Sequence, residues 1–150
     1  MSRSQLVSVA IVLLVVAGIL GAWLLLRGSP AGNAFAGEAD QLCARYHDEV
    51  ASVGTPATLG SVPAFVARER PLAQRLATRL DGLEPPASKR ADYTRFLALV
   101  HRQLENLDTE LRAARTGNVK AFRRAVASSR RVHAQQTRLA KRLDFLVCGR

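Results

Sequence analysis

The hydrophobic positions along the chain fall into one unbroken run followed by four periodic segments. From Leu6 to Leu26 there are 21 residues without a charge, interrupted only by Ser8, Gly18 and Gly21 and bounded by Arg3 and Arg27. That is close to the roughly 20 apolar residues that cross about 30 Å of hydrocarbon as a helix. The run predicts a transmembrane anchor over 1–27. A cleaved signal peptide competes with it, because Ala34-Phe35-Ala36 has the small-x-small form of a cleavage site; the run is longer than a signal core of about 7–15 residues, which favours retention. Both readings carry the remainder across the membrane. Residues 28–37, rich in Gly, Ala and Pro, read as a flexible linker.

Beyond the linker, 38–150 reads as a helical bundle. Ala39, Leu42, Cys43, Tyr46, Val50 and Val53 recur at helical spacing until Gly54-Thr55-Pro56 stops them. Ser61 as N-cap and Pro63 just inside open a second helix with Phe65, Val66, Leu72, Ala73, Leu76, Leu80 and Leu83 on one face. Pro71 lies within it, has no N–H to donate and crowds the carbonyl of Ala67, so this helix is expected to be kinked or split. Tyr93, Leu97, Val100, Leu104, Leu107, Leu111 and Ala114 follow an alternating four-three spacing, the plainest helical signal in the chain. Gly117 supplies a stop, and Asn118 a cap for a last helix with Val119, Phe122, Val126, Val132, Leu139, Leu143 and Leu146 inward. Four amphipathic helices with short connections predict an all-α, up-down-up-down four-helix bundle.

That topology puts the start of the first helix and the end of the last at one end, where Cys43 and Cys148 can meet. They are the only cysteines and have no partners at zinc spacing, so in an exported domain they read as a disulfide; the alternative is two unrelated buried thiols. The order of Cys43, Leu83-Glu84-Pro85-Pro86, Gly117-Asn118 and Val147-Cys148-Gly149 resembles a diffuse group of uncharacterised Ala- and Arg-rich helical envelope proteins of actinobacteria and related bacteria, over Glu38–Arg150. The resemblance implies an envelope location and no functional residues. This chain has no Cys directly after the apolar run, so lipid attachment of the kind many such proteins use is not expected.

Charge changes the picture most. Lys and Arg number 22 against 12 Asp and Glu. From Arg112 to Arg150 there are 11 cations and a single acid, Asp144, so the whole formal charge of +10 resides in the last quarter of the chain. Lys120, Arg123, Arg124, Arg130, Arg131, Arg138 and Lys141 share one broad helical face, a candidate surface for anionic lipid, wall polymer or an acidic protein. The competing reading is a solvated face neutralised by Glu105, Asp108 and Glu110 of the preceding helix. Nucleic acid is not expected, since aromatic residues do not interleave with the charges.

Chemistry is sparse. Ser129, His133 and Gln136 interrupt the last apolar stripe and read as a hydrogen-bonded polar layer. His47 and His101 form no i, i+4 or Glu-x-x-His pair with a neighbour, so no metal is expected. A nucleophile elbow and a phosphate loop are absent, and adjacent carboxylates such as Asp48-Glu49 diverge on a helix, so neither an enzyme nor a cofactor is expected. Two functions follow: a membrane-anchored extracytoplasmic interaction module using the basic face, or a ligand carrier or sensor with a pocket near His133 and Pro71.

Overall fold

The structure, a computed structural model, describes Pro30–Arg150. The predicted anchor Leu6–Leu26 lies outside the described residues; among them, no helix is long and apolar enough to cross a membrane. Four helices account for the described chain: α1 (Pro30–Val53), α2 (Val62–Asp81), α3 (Arg90–Arg115) and α4 (Val119–Arg142), with a short 3-10 turn at Leu59–Ser61 and no strand. Residues 34–150 close on themselves as one unit.

Cross-helix pairs set the directions. Tyr93 donates its hydroxyl to the Leu80 carbonyl at 2.6 Å, and Arg70 meets Asp108 further along, so α2 and α3 run antiparallel. Ser129 bonds Glu110, and Arg142 pairs with Asp92, which makes α3 and α4 antiparallel too. The start of α1 and the end of the chain therefore share an end. Cys43 and Cys148 form a disulfide there, with Cα atoms 5.2 Å apart and a sequence separation of 105.

The core follows the predicted faces: Ala39, Leu42, Val66, Leu80, Tyr93, Val100, Leu104, Leu107, Leu139 and Leu143 are all buried. Several expectations change. The segment read as a linker is helical from Pro30, and Phe35 and Ala36 within it are core residues. Burying Phe35 stabilises by about 2–3 kcal/mol, enough to offset roughly 1 kcal/mol for each helical glycine, and Pro30 suits a first helical position. Nor does Pro71 split α2, which is helical through it from Val62 to Asp81. Ser61 precedes α2 but bonds backward instead: its Oγ accepts from Thr58 N and donates to Thr58 O, closing the 3-10 turn. Val119 and Leu146, expected inside, are 47% and 73% exposed.

Leu146 is exposed because α4 ends at Arg142 and the chain reverses. Asp144 adopts a left-handed φ of 64°, Phe145 N bonds Ala140 O, and Asp144 N bonds Lys141 O, which together make a Schellman end. Lys89 secures it by donating to both Asp144 Oδ2, at 2.9 Å, and the Arg142 carbonyl, where a cation suits the helix C-terminus. The reversal turns Phe145 inward onto Phe35, Phe96 and Tyr93, an aromatic cluster with ring centroids 4.9–6.3 Å apart.

Candidate functional site

At 100° per residue the seven predicted cations of α4 fall within an arc of about 120°. All seven are exposed. The acids expected to neutralise them are otherwise engaged or out of reach. Asp108 is held by Arg70, with Nε to Oδ1 at 2.6 Å and Nη2 to Oδ2 at 3.1 Å. This bidentate partner keeps the Asp108 carboxyl below its ordinary range. Glu110 accepts from Ser129 Oγ at 2.6 Å, and Glu105 joins no ion pair among the described residues. None of the seven cations forms an ion pair among the described residues, and residues 1–29 contain no acid to offer one. The face therefore keeps its full charge.

Its C-terminal half adjoins a shallow groove of about 630 Å³ between α3 and α4. Leu99 and Leu139 form its floor, and Arg95, Arg138 and Arg142 stand around it. Arg95 and Arg142 share Asp92 at 3.7 and 3.1 Å, so two guanidiniums lean on one carboxylate and the site retains excess positive charge. Sequence pattern points to Arg138 and Arg142 through the charge run. Arg95 belongs to another helix and becomes a neighbour only through the α3–α4 register.

Similarity to known proteins adds nothing to this geometry. The chain matches no family model, no curated protein and no solved structure. Function has to be argued from the residues.

The polar residues of the last stripe, Ser129, His133 and Gln136, do lie together, but not as a bonded layer. Of the three side chains only that of Ser129 is hydrogen-bonded among the described residues. They line instead one wall of a cavity of about 380 Å³ enclosed by all four helices and the C-terminal residues. Pro71 does not reach it; the α2 contribution is Ala73, Leu76 and Leu80. His47 lines the cavity with His133, whereas His101 faces away to pair with Asp81 at 3.0 Å. Among the described residues there is no cluster of His, Cys, Asp and Glu suited to a metal.

Two further features escaped the sequence pattern. Asp40 accepts three backbone N–H groups of the C-terminal segment, from Leu146 at 2.7 Å, Val147 at 2.8 Å and Cys148 at 3.1 Å. This carboxylate clamp, three residues before Cys43, holds Cys148 in place for the bridge. Gly149 then lies so close to α4 that a Cβ would come within 2.8 Å of the Ala140 Cβ, which gives the terminal Cys-Gly pair a steric reason. Glu69 accepts from Tyr46 Oη at 3.2 Å and lies near Glu110. Burial, against the opposing effect of the Tyr46 bond, pushes its carboxyl above the ordinary 4.5.

Proposed function

We propose that the chain is a membrane-anchored, extracytoplasmic helical module that binds anionic envelope components, phospholipid headgroups or phosphate-bearing wall polymers, through the outer face of α4. The observation that carries this reading is the set of seven exposed cations, unpaired among the described residues, on one arc of a helix that contains no acid. Surface charges usually sit beside opposite charges, and a face left unbalanced attracts counter-charge over about 8–10 Å at physiological salt. The adjoining groove, with its apolar floor and three guanidiniums, suits the boundary of a headgroup and its acyl chain.

The apolar run Leu6–Leu26 supports the anchor, and the Cys43–Cys148 bridge supports an oxidising compartment for the bundle. Retention of the leader is supported by Phe35. Cleavage after Ala36 would remove a buried ring that meets Tyr93 edge-on at 4.9 Å.

The test uses the full-length protein in zwitterionic nanodiscs. It should capture phosphatidylglycerol vesicles or wall polymer with a steep salt dependence. Reversing Arg123, Arg124, Arg130 and Arg131 to Glu should abolish capture while the thermal transition stays in place. Salt-insensitive capture that survives the reversal removes the proposal. Vesicles and polymer offered separately tell the two sources of anion apart.

A further inference from the structure

The interhelical cavity has two unlike walls. Helices α2 and α3 supply Leu76, Leu80, Phe96, Val100 and Leu104, with Gln103 the one polar residue among them. The facing wall, from α4, is polar throughout: Ser129, Arg130, His133 and Gln136. Arg150 and His47 add to the polar side, and no Asp or Glu lines the cavity. Arg130, His133 and Arg150 are exposed, so the cationic side is where the cavity meets solvent, while Leu80 and Phe96 are fully covered.

The cavity is a cleft open on its cationic side and floored by core residues. At about 380 Å³ the cavity falls within the range of about 300–1,000 Å³ typical of ligand pockets. Gln103 carries a second sign of an unfilled partner. Its Oε1 is buried with no hydrogen-bond partner among the described residues, a state that costs about 1–3 kcal/mol unless a partner is supplied. The amide can turn to present either its oxygen or its nitrogen.

We infer that this cavity binds a single-chain amphiphile with an anionic head, its hydrocarbon against the Leu76–Leu104 wall and its head against Arg130 and the donors of His133 and Gln136. The site is separate from the outer basic face and shares only Arg130 with it. A neutral apolar ligand would leave Arg130 and His133 idle, and a cationic amphiphile would meet two guanidiniums, the nearest carboxylates, Glu110 and Glu69, being outside the lining and already bonded to Ser129 and Tyr46. The head chemistry common to a carboxylate and a phosphate is a compact anion, and both heads are offered in the experiment.

The probe is a diazirine-bearing lauric acid, photocrosslinked to the full-length protein in lipid nanodiscs with empty discs as the blank. Modified residues are mapped by mass spectrometry. Label is expected on α2 between Ala73 and Leu80 and on α3 between Phe96 and Leu107. Laurate or dodecyl phosphate should displace it about ten-fold better than dodecylamine or dodecanol, and whichever of the two wins names the head. Ala73→Phe, which fills the apolar wall, should lower labelling by about ten-fold. Because a filled core can misfold, the exposed His133→Glu is the second variant: it should weaken laurate and strengthen dodecylamine, reversing their order. Arg123→Glu with Arg124→Glu should leave cavity labelling unchanged while reducing vesicle capture, which separates failure of this site from failure of the outer face. Label confined to residues 6–26, equal displacement by all four amphiphiles, or an unchanged order in His133→Glu overturns the inference.

Discussion

Helix α4 lies close against α3 along its length, whereas α1 makes fewer close backbone approaches and reaches the core through a buried stripe of Phe35, Ala36, Ala39 and Leu42. Among the described residues, close backbone approaches, within 8 Å, concentrate between α3 and α4 and between α2 and α3, and α1 makes none of comparable extent. Besides that stripe α1 has a ladder of discrete ties: Phe35 in the aromatic cluster, Asp40 on the C-terminal amides, the Cys43 bridge, Tyr46 to Glu69, and Glu49 to Arg75 at 3.1 Å. A helix with fewer close approaches leaves room behind it, and the cavity lies there, between Cys43, Tyr46 and the facing walls. Close packing along a whole helix resists local opening, and sparser packing permits it more readily. The comparison predicts that α1 can loosen to admit a ligand while α3 and α4 stay closed.

The largest expected effect comes from cutting the covalent tie. Replacing Cys43 and Cys148 by Ser frees a loop of 105 residues and should cost about 4–5 kcal/mol in the chain-entropy account. Hydrogen exchange then gives the sharper result: amides of α1 should open ahead of those of α3 and α4. Simultaneous loss of protection in all four helices would mean that α1 is held as firmly as α3 and α4. Next comes Phe35→Ala, expected to cost about 3 kcal/mol, with the loss read as a lowered denaturation midpoint. A change indistinguishable from wild type would mean that α1 begins, in energetic terms, after Ala36. Asp40→Ala should cost about 2 kcal/mol, because three amides lose a charged acceptor, and it should speed reduction of the bridge by dithiothreitol. An unchanged reduction rate would show that the disulfide positions the clamp rather than the reverse.

The same contrast explains what the chain made legible. The four-three spacing from Tyr93 to Ala114 reports continuous burial, and each of those seven residues is buried or half-buried. Gly117 and Asn118 are read correctly because each carries its own physics. Gly117 takes a φ of 63° without a steric penalty, and the Asn118 side chain accepts from Ala121 N at 2.9 Å. The end of α4 uses the same Schellman geometry with Asp144 at the left-handed position, where composition gives no warning, so Leu146 extends the periodicity past the true boundary. The discrete ties of α1 leave no period, although its apolar stripe from Ala39 does. Phe35 sits among Gly and Ala, and Asp40 reads as one more solvated acid until the fold brings residue 146 beside it. The basic face was visible as a charge run, but its lack of partners depends on where Asp108 and Glu110 turn, which only the register of α2 and α4 against α3 decides.

The smallest expected effect tests a non-covalent rung of the α1 ladder through pH. Glu69 sits between Tyr46 and Glu110, and burial raises its carboxyl above 4.5 in the folded chain. A raised folded value means that its favourable contribution is complete below pH 4.5 and is lost as pH climbs through the folded value. Asp108 acts with the opposite sign: Arg70 lowers it from 3.8, so its contribution disappears only as the solution becomes more acid than that. Above pH 4.5, of the two, only the Glu69 contribution changes. In Glu69→Gln the hydrogen bond to Tyr46 can persist without a buried charge. Its Tm should match wild type near pH 4.5 and rise a few degrees above it by neutral pH, most visibly in a probe placed on α1. A variant less stable than wild type at every pH would mean that the Tyr46 hydroxyl needs a carboxylate more than burial disfavours one, making this contact a charged anchor instead of a loose rung.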